Sequence, residues 1–140
     1  MGVERRRLGA SGLEVPVVGF GTYRAFDVSD ASAVMPVVDA ALAGGASLFD
    51  SSPMYGQAER VLGEALDGRR ERALVATKVW TEDDREAERQ IQRALGYYGG
   101  RIDIYQVHNL VASEKRLSRL EQLHQAGQVK AIGITHYREA

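Results

Sequence analysis

Asp50, Tyr55, Lys78 and His108 are the residues whose types and spacing could do chemistry together. Asp50 follows the apolar stretch Ser47 to Phe49, and Tyr55 lies five residues further on, in a loop. Lys78 stands at the end of Ala73 to Val79, and His108 directly follows Ile102 to Val107. A carboxylate, a phenol, an ammonium and an imidazole suit the reduction of a carbonyl group. As hydride reaches the carbonyl carbon, the oxygen needs a proton. A free tyrosine keeps its proton to about pH 10 and is a sluggish acid at neutral pH. A neighbouring lysine ammonium stabilises the phenolate and is expected to lower that pKa. An aspartate beside the lysine keeps it charged and in place. A histidine within reach can orient or polarise the carbonyl oxygen. In this assignment Tyr55 is the acid, Lys78 its tuner, Asp50 the anchor of Lys78, and His108 the orienter.

Taken singly, each residue has a plainer explanation. Asp50 fits a turn or cap, Tyr55 fits a ring packed on the next helix, and His108 fits a satisfied core histidine. Lys78 is harder to dismiss, because it ends the apolar run Leu74 to Thr77, where a charge is costly unless paired. Coincidence becomes a poor account when three fall at strand ends and the fourth in the loop that follows one of them.

The elements that position them follow from periodicity and turn residues. Arg5 to Leu8 and Leu13 to Val15 flank Gly9-Ala10-Ser11-Gly12, which predicts a hairpin. Pro16 to Phe20 reads as a buried strand. Ser29 to Ala43 has helical periodicity through Val34, Val37, Val38 and Leu42, with Pro36 delaying or kinking its start. Gln57 to Leu66 places Ala58, Val61, Leu62 and Ala65 on one helical stripe. A further helix starts from Thr81, with Thr81 and Asp84 in capping-box spacing, and buries Ala87, Ile91, Ala94 and Leu95. Another runs from Ser113 to Gln125 over Leu117, Leu120 and Leu123, and Val129 to Ile134 is a fifth strand.

Strands alternating with helices predict a parallel sheet covered by helices. In such a sheet the C-terminal strand ends share one edge, so residues from successive units converge there. Periodicity leaves two architectures open, a doubly wound sheet and a (β/α)₈ barrel. Gly19-Phe20-Gly21-Thr22 after the first strand is not the full glycine-rich dinucleotide fingerprint.

The bulk properties narrow the function classes. The chain has 140 residues, with 18 basic and 19 acidic side chains and a net charge of −1, so no long-range field draws nucleic acid or an anionic membrane. The absence of cysteine excludes disulfides and thiolate metal sites. His108, His124 and His136 lack metal-motif spacing, so no metal is expected. The opening MGVERRRLGASG lacks the apolar stretch of a secretory signal, and the apolar runs are too short to span a bilayer. The expectation is a cytoplasmic protein without membrane insertion. Asp67 to Arg72 reads as a solvated loop, and Arg5 to Arg7 as solvated or packing the hairpin.

GFGT (19–22), FDSSPMYGQAERVLGEAL (49–66), VATK (75–78), IDIYQVHN (102–109) and KAIGITHY (130–137) together resemble the aldo-keto reductase family. The resemblance implies that these pieces form the first five strands and loops of a (β/α)₈ barrel. It also implies reduction of an aldehyde or ketone with a nicotinamide cofactor, usually NADPH, with NADH the alternative. The family's Asp, Tyr, Lys and His tetrad would fall on Asp50, Tyr55, Lys78 and His108. Gly21, Thr22, Tyr23 and Asp50 would lie along the nicotinamide end of the cofactor. Asn109 would lie close to its carboxamide. Where many members have Ser-Asn before an aromatic residue, this chain has Thr135-His136-Tyr137, so Thr135 offers a hydroxyl and His136 a ring nitrogen. Ser51 to Met54 is similar to a bacterial-type subgroup.

A complete barrel of this kind takes about 250 residues. The expectation is therefore one domain over residues 1–140, forming a partial barrel of about five parallel strands and an N-terminal hairpin. The strands that would grip the rest of the cofactor are absent from this sequence. Five strands leave two open edges and an apolar inner face, which predicts self-association or a second chain completing the barrel. Two readings follow: a carbonyl reductase that requires the missing half of the barrel, or a non-catalytic half-barrel serving as an assembly or regulatory subunit, an inactive truncated reductase among them.

Overall fold

The structure, a computed structural model, describes residues 2–138. The outermost bounds of the expected 1–140 domain therefore lie outside the described residues.

The chain begins with the expected hairpin, β1 (Arg5–Arg7) paired antiparallel with β2 (Glu14–Pro16). Arg5 ties it to the sheet by donating to Ser47 Oγ at 3.1 Å. The next expectation needs correction. Pro16 to Phe20 is not one buried strand: Pro16 ends β2, and Val17 and Val18 are exposed. The backbone is still engaged with the hairpin there, because Val17 N–H donates to the Glu4 carbonyl. Only Phe20–Gly21 (β3) joins the main sheet.

The main sheet has five parallel strands in sequence order: β3, β4 (Leu48–Asp50), β5 (Leu74–Val79), β6 (Ile102–Val107) and β7 (Val129–Ile134). Sequential order throughout is that of a barrel wall, whereas a doubly wound sheet reverses direction at a switch point. Helices α1 (Met35–Gly44), α2 (Ala58–Ala65), α3 (Asp84–Tyr97) and α4 (Ser113–Gln125) connect the strands of the wall.

Pro36 delays α1 as expected. A short 3₁₀ turn at Ala31–Ala33, capped by Asp30, precedes it, and Pro36 sits in the first helical turn, where a missing N–H costs nothing. Val37, assigned to the buried stripe, is exposed; Val34, Val38 and Leu42 fill that stripe. The cap of α3 also differs from expectation. Asp83, rather than Thr81, accepts from the Glu86 N–H at 2.6 Å, while Thr81 Oγ1 accepts from Asp83 N–H. Aspartate is as good a cap as threonine, and Asp83 with Glu86 has the same spacing two residues later.

The core lies between sheet and helices. Phe49, Val75, Val79, Tyr105 and Val107 point outward from the strands and meet Val61, Leu62, Ile91 and Leu120 of the helix layer. Because side chains alternate along a strand, Leu48, Asp50, Ala76, Lys78, Ile104 and Gln106 share the opposite, inner face. Arg70 departs from its expected solvated loop. It is largely buried, pairs with Asp103 at 2.8 Å and donates to the carbonyls of Ala73, Tyr98 and Arg101.

Candidate active site

The inner-face alternation decides which residues can meet. Asp50 pairs in register with Ala76, and Lys78 is two residues further along β5 on the same face. The Lys78 ammonium reaches back to both Asp50 carboxylate oxygens at 2.8 Å and to the Ser51 carbonyl at 2.7 Å. All three ammonium protons thereby have acceptors. Lys78 is 5% exposed, so this pairing is what permits its charge there.

Tyr55 leans over this pair. The Lys78 ammonium lies 5.4 Å from the centre of its ring, and the His108 ring meets it edge-on at 6.0 Å. Tyr23 covers its other side at 5.0 Å. The Tyr55 turn is held by Gln57 N–H, which donates to Asp27 at 2.9 Å. Gly56 has φ of +60°, and a Cβ there would stand 2.2 Å from the Asp27 carboxylate, so any other residue would be strained and would have to displace Asp27 from the Gln57 N–H.

The expected tuning of Tyr55 needs correction. Its pKa is raised, not lowered, first by burial and then by the Asp50 carboxylate and Tyr23. The Lys78 ammonium, paired with Asp50 and 5.4 Å from the ring centre, does not offset these effects. His108 is pushed below the ordinary histidine value by burial and by Lys78, with Asp50 opposing. It is therefore a neutral imidazole at neutral pH. Its Nδ1 lies 2.8 Å from Ser52 Oγ, and both residues are buried.

The residues assigned to a cofactor divide by exposure. Thr22 is fully buried, with Oγ1 2.9 Å from both the Asp50 carbonyl and Ser51 Oγ. Its hydroxyl belongs to the floor of the site, and any contact it offers outward is through its backbone. Gly21 pairs with Asp50, and Tyr23 is exposed above Tyr55. Asn109 N–H donates to Thr135 Oγ1 at 3.2 Å, joining the ends of β6 and β7. His136 is exposed and meets the Tyr137 ring edge-on at 5.2 Å. Among the described residues no three His, Asp or Glu side chains are grouped to hold a metal ion.

Several contributors escaped sequence reasoning. The sequence assigns Ser51 and Ser52 no role in the site, yet the Ser51 carbonyl receives Lys78 and the Ser52 hydroxyl contacts His108. The available signal was two small hydroxyl residues directly after a strand end. Gln90 was invisible among helix polar residues. It accepts from Trp80 N–H and donates to Trp80 O, clamping the chain just beyond Lys78.

The comparisons with known proteins agree with this architecture. The family model described as Aldo/keto reductase family matches residues 17–140, and the chain belongs to that family. It is 28% identical to the aldo-keto reductase YhdN of Bacillus subtilis, covering 96% of this chain and 47% of that protein. It is 30% identical to the methylglyoxal reductase YeaE of Escherichia coli, covering 89% of this chain and 46% of that protein. The holo form of an aldo-keto reductase from Bacillus halodurans superposes with a TM-score of 0.83 at 27% identity, over 97% of this chain and 51% of that one. A Klebsiella pneumoniae aldo-keto reductase solved with NADPH shares the fold at a TM-score of 0.80 and 22% identity, over 98% of this chain and 51% of that one. The chain thus spans about half the length of the curated relatives it matches, and its five strands form part of a (β/α)₈ barrel wall.

Proposed function

We propose that this chain, as a single barrel segment over residues 1–140, carries the proton-donating half of a carbonyl reductase site that uses NADPH, with NADH the alternative. The observation that carries the reading is the Lys78–Asp50 pair beneath Tyr55, with neutral His108 edge-on to the same ring. Tyr55 donates the proton to the substrate oxygen. Its raised pKa keeps it protonated at neutral pH, and a developing alkoxide is basic enough to take a proton from an ordinary phenol. Lys78 then lies close to the phenolate that forms. Asp50 holds Lys78 in place, and His108 orients the carbonyl through a ring nitrogen.

The donor set suits a nicotinamide. Asn109, Thr135 and His136 offer amide, hydroxyl and ring-nitrogen groups suited to a carboxamide, while Gly21, Thr22 and Asp50 form the floor and Tyr23 a flat wall. The bound cofactor supplies the hydride. The substrate is a small aldehyde or ketone, the compartment is the cytoplasm, and the near-neutral charge gives no field to draw nucleic acid. Among the described residues no helix is long and apolar enough to cross a membrane.

Among the described residues, both edge strands, β3 and β7, have one unpaired side. The active form closes this arc with further strands, from the same polypeptide, a second copy or a partner chain. The same open arc favours a second reading, a half-barrel that acts in assembly or regulation without catalysis. NADPH titration of the 140-residue chain, with its mass in solution measured on the same sample, tests the proposal. Weak binding by the monomer and tight binding by a closed assembly are expected. Failure of NADPH and NADH to bind any closed form would sink the reductase reading. A stoichiometric isotherm from the monomer would sink the need for further strands.

A further inference from the structure

Ser52 Oγ sits at the meeting point of two polar groups that decide how its proton is used. It lies 2.8 Å from His108 Nδ1, and it accepts from the Met54 N–H at 3.3 Å. Ser52 is fully buried and His108 is 7% exposed, so water does not compete freely for either. A serine hydroxyl has one proton to give. Among the described residues no other acceptor lies within hydrogen-bond reach of Ser52 Oγ, and the imidazole is neutral, so one ring nitrogen carries a proton and the other does not.

We propose that Ser52 is a positioning residue that sets the tautomer of His108, donating its hydroxyl proton to Nδ1 and leaving the proton of the ring on Nε2. The Met54 N–H fills one lone pair of Oγ and favours outward donation toward the imidazole. Nε2–H is then a hydrogen-bond donor, the form needed to hold a carbonyl oxygen. The opposite tautomer would present a lone pair to that oxygen and repel it. The use of this donor rests on the reductase reading, but the tautomer itself does not. Ser52 touches neither substrate nor hydride; it acts through His108.

The test is ¹⁵N NMR of the imidazole nitrogens in the full chain at neutral pH, with His108 assigned by its loss in His108→Asn. The expected wild-type spectrum shows a protonated Nε2 and an unprotonated, hydrogen-bonded Nδ1. Ser52→Ala is expected to move the nitrogens toward a mixture of tautomers. A wild-type His108 protonated on Nδ1 would overturn the proposal without any variant, and so would a Ser52→Ala spectrum with unchanged nitrogens. In the closed assembly, Ser52→Ala is expected to lower kcat about tenfold or more, with cofactor binding unchanged. An altered tautomer with no carbonyl reduction in any form would leave the Ser52 assignment standing and remove the reductase reading.

Discussion

The Lys78 ammonium is 2.8 Å from each oxygen of the Asp50 carboxylate, yet the lysine is buried and the aspartate side chain is 41% exposed. The two partners therefore differ in what their removal leaves behind. Asp50→Asn strands a buried ammonium with only the Ser51 carbonyl and a neutral amide. Lys78→Met leaves a carboxylate that water can reach. Screening at the exposed side reduces the cost of breaking a fully buried pair, so Asp50→Asn is expected to destabilise by about 2 kcal/mol. Urea denaturation should rank Asp50→Asn below Lys78→Met.

Glu59 gives the molecule a pH-dependent stability. It is buried in the first turn of α2, hydrogen-bonded with Thr77 Oγ1, and burial raises its pKa to about 7. The folded state therefore holds a proton that the unfolded chain has released between the ordinary glutamate value of 4.5 and about 7. Stability is present below that window and falls as pH rises through it, by about 3 kcal/mol in all. Denaturation midpoints at pH 5 and pH 8 should differ in that direction, and Glu59→Gln should flatten the difference.

His108 has the opposite sign. Its folded pKa lies below the ordinary value of 6.5, so the unfolded chain binds the proton first as pH falls. Its contribution to stability rises with pH between the folded pKa and 6.5. An NMR titration should place its midpoint below the ordinary histidine range, and removing the Lys78 charge with Lys78→Met should move that midpoint upward.

Gly56 is expected to resist substitution. Gly56→Ala combines a φ of +60° with a Cβ driven against Asp27. The cost is about 1–2 kcal/mol of backbone strain, with displacement of the Tyr55 turn in addition. Thermal unfolding reads the first effect, and loss of the Tyr55 and His108 ring contact by NMR reads the second.

Much of this was legible in the sequence. The strands Ile102 to Val107 and Val129 to Ile134 and the helix Ser113 to Gln125 have the expected bounds, because glycines punctuate the chain around them: Gly99-Gly100 precede the first strand, and Gly127 separates the helix from the second. The meeting of Asp50 with Lys78 was legible because a charge at the end of an apolar strand demands a partner. The short first strand was not, since Val17 and Val18 look apolar while the hairpin still governs their backbone. The raised pKa of Tyr55 was not legible either. It comes first from burial of the phenol and then from the nearby Asp50 carboxylate, and a sequence spacing carries neither the burial nor that distance.

The most direct measurement is carbonyl-dependent oxidation of NADPH by the closed assembly containing this chain, compared between the native protein and Tyr55→Phe. Removal of the hydroxyl deletes the proposed proton donor and leaves the ring that packs against Tyr23 and His108. Reduction is expected in the native form, with a loss of roughly 10²- to 10⁴-fold in Tyr55→Phe and unchanged cofactor binding. Equal rates in the two proteins, or no reduction by the native assembly with bound NADPH, would contradict the assignment of this site.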